Sequence, residues 1–168
     1  MKDKYIPYRF SADLNKVEGE NFVIIKLGFF WHTLKGFIEF FRYSRLINKS
    51  AEKNFDKGLL KMENFIYSHK HAGLIQYWRS FEDLEHWSRN CKDHLSWWKE
   101  IETNDQWRNL SFYHEVFIVN KSNVETIYNL NHSIKENEYP GLSGFLPHLT
   151  NAKYRARERF LEEPKTLE

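Results

Sequence analysis

Two histidines define the chemistry this chain could perform. His94 belongs to a run in which Phe81, Leu84, Trp87, Cys91, Leu95, Trp98 and Ile101 are spaced for one face of a helix. It stands at the edge of that stripe. Imidazole titrates near neutrality, so a histidine there is either a general base or proton relay, or a helix residue bonded to a carbonyl or to solvent. His114 is followed by Glu115 within Ser111–Val119, a β-branched and aromatic run that reads as a strand. Consecutive strand residues point to opposite faces, so only one of this pair looks into a given pocket. Whichever is buried needs a partner. Trp78, Trp87 and Tyr128 are the rings available to line a pocket for a flat or apolar ligand, with ordinary core packing as the plainer role.

Other patterns carry less. His69-Lys70-His71 places two imidazoles on one side if extended, but it falls in an expected turn with no third ligand nearby, so no metal centre is predicted. There is no His-Glu-x-x-His, no Gly-x-Gly-x-x-Gly and no phosphate loop. Gly141-Leu-Ser-Gly-Phe145 departs from the nucleophile-elbow pattern in its last position. Cys91, on the apolar stripe, reads as an inert core thiol. Lys153, Arg155, Arg157 and Arg159 read as a solvated, charged tail.

The elements that must position these residues follow from periodicity. Residues 1–20 are a polar arm. Phe22–Trp31 is the first buried strand. Leu34, Phe37, Ile38 and Phe41 repeat at helical spacing, and Asn48–Gly58 breaks the pattern. Leu59–Tyr67 and Leu74–Arg79 are two strands joined by a short hairpin. Ser80, with Asp83 three residues on, opens the second helix. The fourth strand follows, then a short helix carrying Val124, Ile127 and Tyr128. A loop spans Tyr139 to Pro147, and a charged helix is expected over Ala152–Glu163.

That order is βαββαβ, an α+β ferredoxin-like domain over 21–130 with a helical or irregular extension over 131–168. Both helices lie on one face of an antiparallel sheet. The other face keeps apolar and aromatic residues, either Trp78 or Tyr77 among them, so a second copy is expected there: a homodimer closing a barrel. The composition agrees with a single globular domain: 168 residues, 41% hydrophobic, 29% charged and 17% aromatic. A net charge of +2 gives no steering toward nucleic acid. The greasiest stretch, Phe22–Ile47, holds too many charges for a membrane span. One cysteine and a polar N-terminus point to a cytoplasmic protein.

Three stretches together resemble a known family. Gln76-Tyr-Trp-Arg-Ser-Phe-Glu-Asp-Leu-Glu85, His94 with Trp97 or Trp98 following, and His114-Glu115 are similar to a bacterial family of monooxygenase-like proteins. That family is related to the antibiotic-biosynthesis monooxygenases, which are dimeric α+β barrels. The likeness runs from about Ile6 to Tyr128 and includes Tyr8-Arg9-Phe10 and Gly58-Leu59-Leu60; beyond Tyr128 it degrades. The resemblance implies a homodimer with a small apolar pocket per subunit, working without a cofactor. His94 or His114 would then take the activating proton from an electron-rich aromatic or enolic molecule, with Trp78, Trp87, Glu115 and Tyr128 around it. It leaves open whether there is a reaction at all.

Two alternatives stand beside this reading. One is a haem-using lyase or haem-degrading enzyme, since some barrels of this superfamily bind haem. In that branch a helix tryptophan precedes the iron-ligating histidine, and the first strand carries an asparagine. Trp87 matches the tryptophan. The ligand position falls near Trp97, and the strand offers Lys26 and Gly28 instead. The other alternative is a non-catalytic homodimer that holds a hydrophobic ligand.

Overall fold

A computed structural model describes residues 10–54, 57–103, 108–128, 138, 140–144 and 147–149. In chain order the strands are β1 (Phe10–Ala12), β2 (Asn21–Trp31), β3 (Leu59–Ser68), β4 (His71–Trp78), β5 (Leu110–Asn120) and β6 (Pro147–Leu149). The helices are α1 (Leu34–Glu52), α2 (Phe81–Asn90) and α3 (Lys92–Thr103). By contacts the chain divides into two units, 21–119 and 1–20 with 120–168.

In the unit of residues 21–119 the sheet order is β3-β4-β2-β5. The pairs β2–β4 and β3–β4 are antiparallel. This is the ferredoxin-like arrangement that the element order predicts. Register settles the faces. Gln76 sits opposite Ile25 and Trp78 opposite Val23, so Leu74, Gln76 and Trp78 turn toward the helices and Tyr77 turns away. The core has two clusters. Val23, Ile25, Leu59, Trp78 and Leu84 form one, and Phe29, Tyr43, Ile47, Leu74, Trp97 and Leu110 form the other.

The motif that carries the family resemblance does structural work here. Trp78 is fully buried. The Ser80 side chain accepts the N–H of Asp83 at 3.1 Å and so caps α2. Arg79 donates two hydrogen bonds to the Asp83 carboxylate, at 2.7 and 3.1 Å. That contact, first among its causes, holds the Asp83 carboxyl below its ordinary range. Leu84 then enters the core.

Four expectations change. Leu34, Ile38 and Phe41 are 75%, 62% and 56% exposed, so the apolar repeat of α1 marks its outer side. The inner side is Gly36, Tyr43, Ile47, Ser50 and Ala51. In its first turn that side needs a glycine because the helix docks closely: a Cβ on Gly36 would lie 1.9 Å from the carbonyl oxygen of Asn109. Second, α1 runs to Glu52 through residues that looked like a break; Asn48 bonds back to Ser44 within the helix rather than ending it. Third, the single helix expected from Ser80 to Ile101 is two helices, divided at Cys91, whose backbone is extended (φ −77°, ψ 104°). With this break Leu95 is exposed and Trp97 is buried. Fourth, Val124 to Tyr128 is not helical; a 3-10 turn over Lys121–Asn123 is followed by extended backbone. The helix expected over Ala152–Glu163 lies outside the described residues.

In the other unit, β1 pairs antiparallel with β6 from Phe10↔Leu149 to Ala12↔Pro147. The Ala12 N–H donates to the Thr126 hydroxyl at 2.8 Å, and Lys121 N–H to the Glu20 carbonyl at 3.0 Å. Among the described residues no helix is long and apolar enough to cross a membrane.

Candidate functional site

Leu27 and Met62 pack against both core clusters. Members of both line a cavity of about 320 Å³ between the sheet and the helices. That volume lies at the small end of ligand sites. Its floor is the helix-facing side of the sheet: Ile25, Leu27, Phe29, Gln76, Phe112, His114 and Val116. Alternation along β5 puts Phe112, His114 and Val116 on this side. Its walls are Tyr43 and Ile47 from α1, Leu84, Trp87 and Ser88 from α2, and His94, Trp97, Trp98 and Ile101 from α3.

His94 is held from both sides. Its Nδ1 lies 2.9 Å from the Ser88 carbonyl, and its Nε2 accepts the indole N–H of Trp98 at 2.9 Å. An indole only donates, so Nε2 carries the lone pair and the proton is on Nδ1. This arrangement grows out of the break at Cys91. In a continuous helix the Ser88 carbonyl would take the N–H four residues on; the break frees it and His94 satisfies it. Burial, the largest cause, pushes His94 below the ordinary histidine value of 6.5, opposed by the Ser88 bond, with nearby His114 pushing it lower. The unfolded chain therefore takes up a proton at a pH where the folded one stays neutral, and stability falls as pH drops through and below 6.5. We expect His94→Gln to flatten this acid limb in thermal melts taken between pH 7 and pH 5. An unchanged limb would show that His94 is not the group responsible.

The sequence candidates divide by location. His94, His114 and Trp87 meet at the cavity. Trp78 lies in the core beside it, its ring 5.4 Å from Trp87. Glu115 is on the opposite face of the sheet, 3.7 Å from Lys26. Tyr128 belongs to the other unit. His114 meets Trp98 edge to face at 6.0 Å, and no hydrogen bond among the described residues engages it. His69 lies in the two-residue turn between β3 and β4, whereas His71 is in β4, where it stacks on Phe30 at 3.8 Å and reaches the Tyr113 hydroxyl at 3.1 Å. Among the described residues no three metal-ligating side chains converge.

Two cavity residues were not singled out from the sequence. Gln76 is a buried amide in an apolar strand, and Tyr43 is a buried tyrosine whose hydroxyl has no partner. The available signal for Gln76 was parity: it shares the buried side of β4 with Trp78.

A family model described as monooxygenase af470-like matches residues 22–134. The chain belongs to this family. Several solved structures share its fold. One aldoxime dehydratase is 15% identical with a TM-score of 0.63, over 95% of this chain and 46% of that one. A second, OxdRE in complex with butyraldoxime, is 19% identical with a TM-score of 0.62, over 95% and 45%. SnoaB, a cofactor-independent oxygenase from Streptomyces nogalater, is 9% identical with a TM-score of 0.41, over 61% and 96%. The chain thus spans less than half the length of the aldoxime dehydratases it matches. None of the curated proteins matches. At these identities the likeness to the aldoxime dehydratases speaks for fold alone.

Proposed function

We propose that the protein is a monooxygenase-like enzyme that takes a small aromatic or enolic molecule into the cavity between sheet and helices and deprotonates it with His114. The observation that carries this is the cavity itself, apolar on nearly every side and reached by one uncommitted imidazole. The reaction class balances without a resident cofactor. A CH₂ made acidic by neighbouring aromatic or carbonyl groups becomes C=O, one oxygen of O₂ enters the product and the other leaves as water. The substrate is the sole reductant. Protein side chains need only hold the substrate, exclude water and move a proton.

Of the two histidines that could hold the iron of a haem, the alternative expectation, only His114 has a nitrogen lone pair to offer. His94 has no lone pair to offer iron, because Nε2 is engaged by Trp98 and Nδ1 carries the proton on Ser88. Among the described residues the one cation on the cavity wall, Arg89, is paired with Glu85 at 2.7 Å. We also propose a homodimer through the sheet face away from the helices, where Phe30, Tyr67 and Phe117 are exposed.

The test uses anthrone, a flat compound with an acidic CH₂. We expect saturable binding of one anthrone per chain, and one O₂ consumed for each quinone formed. Val116→Trp, which fills the cavity mouth from an exposed position, should abolish both. Absence of saturable binding, or binding untouched by Val116→Trp, would refute the pocket. A saturable Soret shift with added haem, lost in His114→Ala, would favour the haem reading instead. A monomer in sedimentation would refute the homodimer.

A further inference from the structure

Three residues that line the cavity hold a buried polar atom short of partners: Trp87, Gln76 and Tyr43, whose hydroxyl can donate or accept. Trp87 Nε1 is buried with no partner, and an indole nitrogen can only donate. Gln76 Nε2 carries two N–H groups and meets only the thioether of Met62, at 3.6 Å, a weak acceptor. The orientation of that amide is settled by its neighbour. Trp78 Nε1 lies 3.1 Å from the Gln76 side chain and can only donate, so the amide oxygen faces Trp78 and the NH₂ faces the other way. Three acceptors beside them are in use: Gln76 Oε1 by Trp78, His94 Nε2 by Trp98 and the Ser88 carbonyl by His94; the Tyr43 hydroxyl and the His114 ring keep acceptor capacity.

Leaving an N–H buried and unbonded costs free energy. Two such donors on the wall of one apolar cavity describe the complement they lack. Building on the pocket reading above, we infer that Gln76 and Trp87 form a donor pair that selects ligands bearing a neutral oxygen acceptor, a ketone or quinone carbonyl. An amine would meet these two groups donor to donor. A carboxylate would want a cation, and the guanidinium on the wall is exposed and already paired with Glu85. The same pair would stabilise negative charge that develops on that oxygen when the adjacent carbon loses its proton, so it sits on the side of the enolate rather than of the parent ketone.

The test compares two probes that differ only by C=O against CH₂, 1-tetralone and tetralin, in calorimetric titrations of the full chain. The wild type is expected to bind 1-tetralone about tenfold more tightly than tetralin. Gln76→Met and Trp87→Phe should each remove most of that preference while leaving tetralin affinity in place. Trp87→Phe guards the result against unfolding, because the N–H it removes bonds no protein group. Equal wild-type affinity for the two probes, or variants that weaken both alike, would overturn the donor pair and leave the pocket reading standing. Failure of both probes to bind would remove the pocket reading, and the donor pair with it.

Discussion

Replacing His114 by glutamine is expected to slow anthrone oxygenation roughly 10²- to 10⁴-fold while leaving anthrone binding nearly intact. The split between rate and affinity is the informative part. Glutamine keeps a polar group of similar reach on β5 but cannot take a proton, so it should spare the ground-state complex and remove the base. His94 is the control. Its lone pair is occupied by Trp98 and its proton by Ser88, so it cannot accept a substrate proton without breaking the link between α2 and α3. His94→Gln should therefore act through stability, with a smaller effect on rate measured well below its melting temperature. Quinone absorbance and oxygen uptake, followed together, read both. A His114→Gln enzyme with the wild-type rate would eliminate His114 as the base.

The second large effect is on the core. Trp78→Ala is expected to destabilise the protein by about 3–5 kcal/mol, the range for removing a large buried ring. Trp78 has no exposed surface and packs on Trp87. That loss is a large part of the total stability of a domain this size. Trp78→Phe separates two roles. It keeps most of the ring and should cost less, but it removes the N–H that orients Gln76. The amide is then free to turn its oxygen toward the cavity, and the preference for 1-tetralone over tetralin should shrink although Trp78 never touches the ligand. Denaturant titrations give the first quantity and calorimetry the second. A Trp78→Ala protein as stable as the wild type would mean the ring is not holding the core.

Local signals carried much of this protein. The β-branched and aromatic runs of β2 and β5 and the capping serine of α2 are short-range patterns, and each appears where its pattern predicts. A four-stranded antiparallel sheet with its helices on one face followed from them, because the succession βαββαβ leaves few other arrangements. The parity of His114 and Glu115 was also legible, though not which of them faced the helices.

What sequence could not supply was decided by packing between distant segments. The face of α1 that turns inward depends on how closely the helix meets Asn109, and that contact favours Gly36 over the larger residues of the opposite stripe. The division at Cys91 involves no proline or glycine. It is sustained by a histidine six residues beyond the freed carbonyl, a bond with no signature in helical periodicity. The amide of Gln76 takes its direction from Trp78, and Gln76 lines a cavity assembled from members of both clusters, on all three helices and the sheet. Residue types and their spacing determined the elements and the reactive side chains on offer. Tertiary packing decided which of those side chains are already satisfied, and only an unsatisfied one has a hydrogen bond or a proton site left for a substrate.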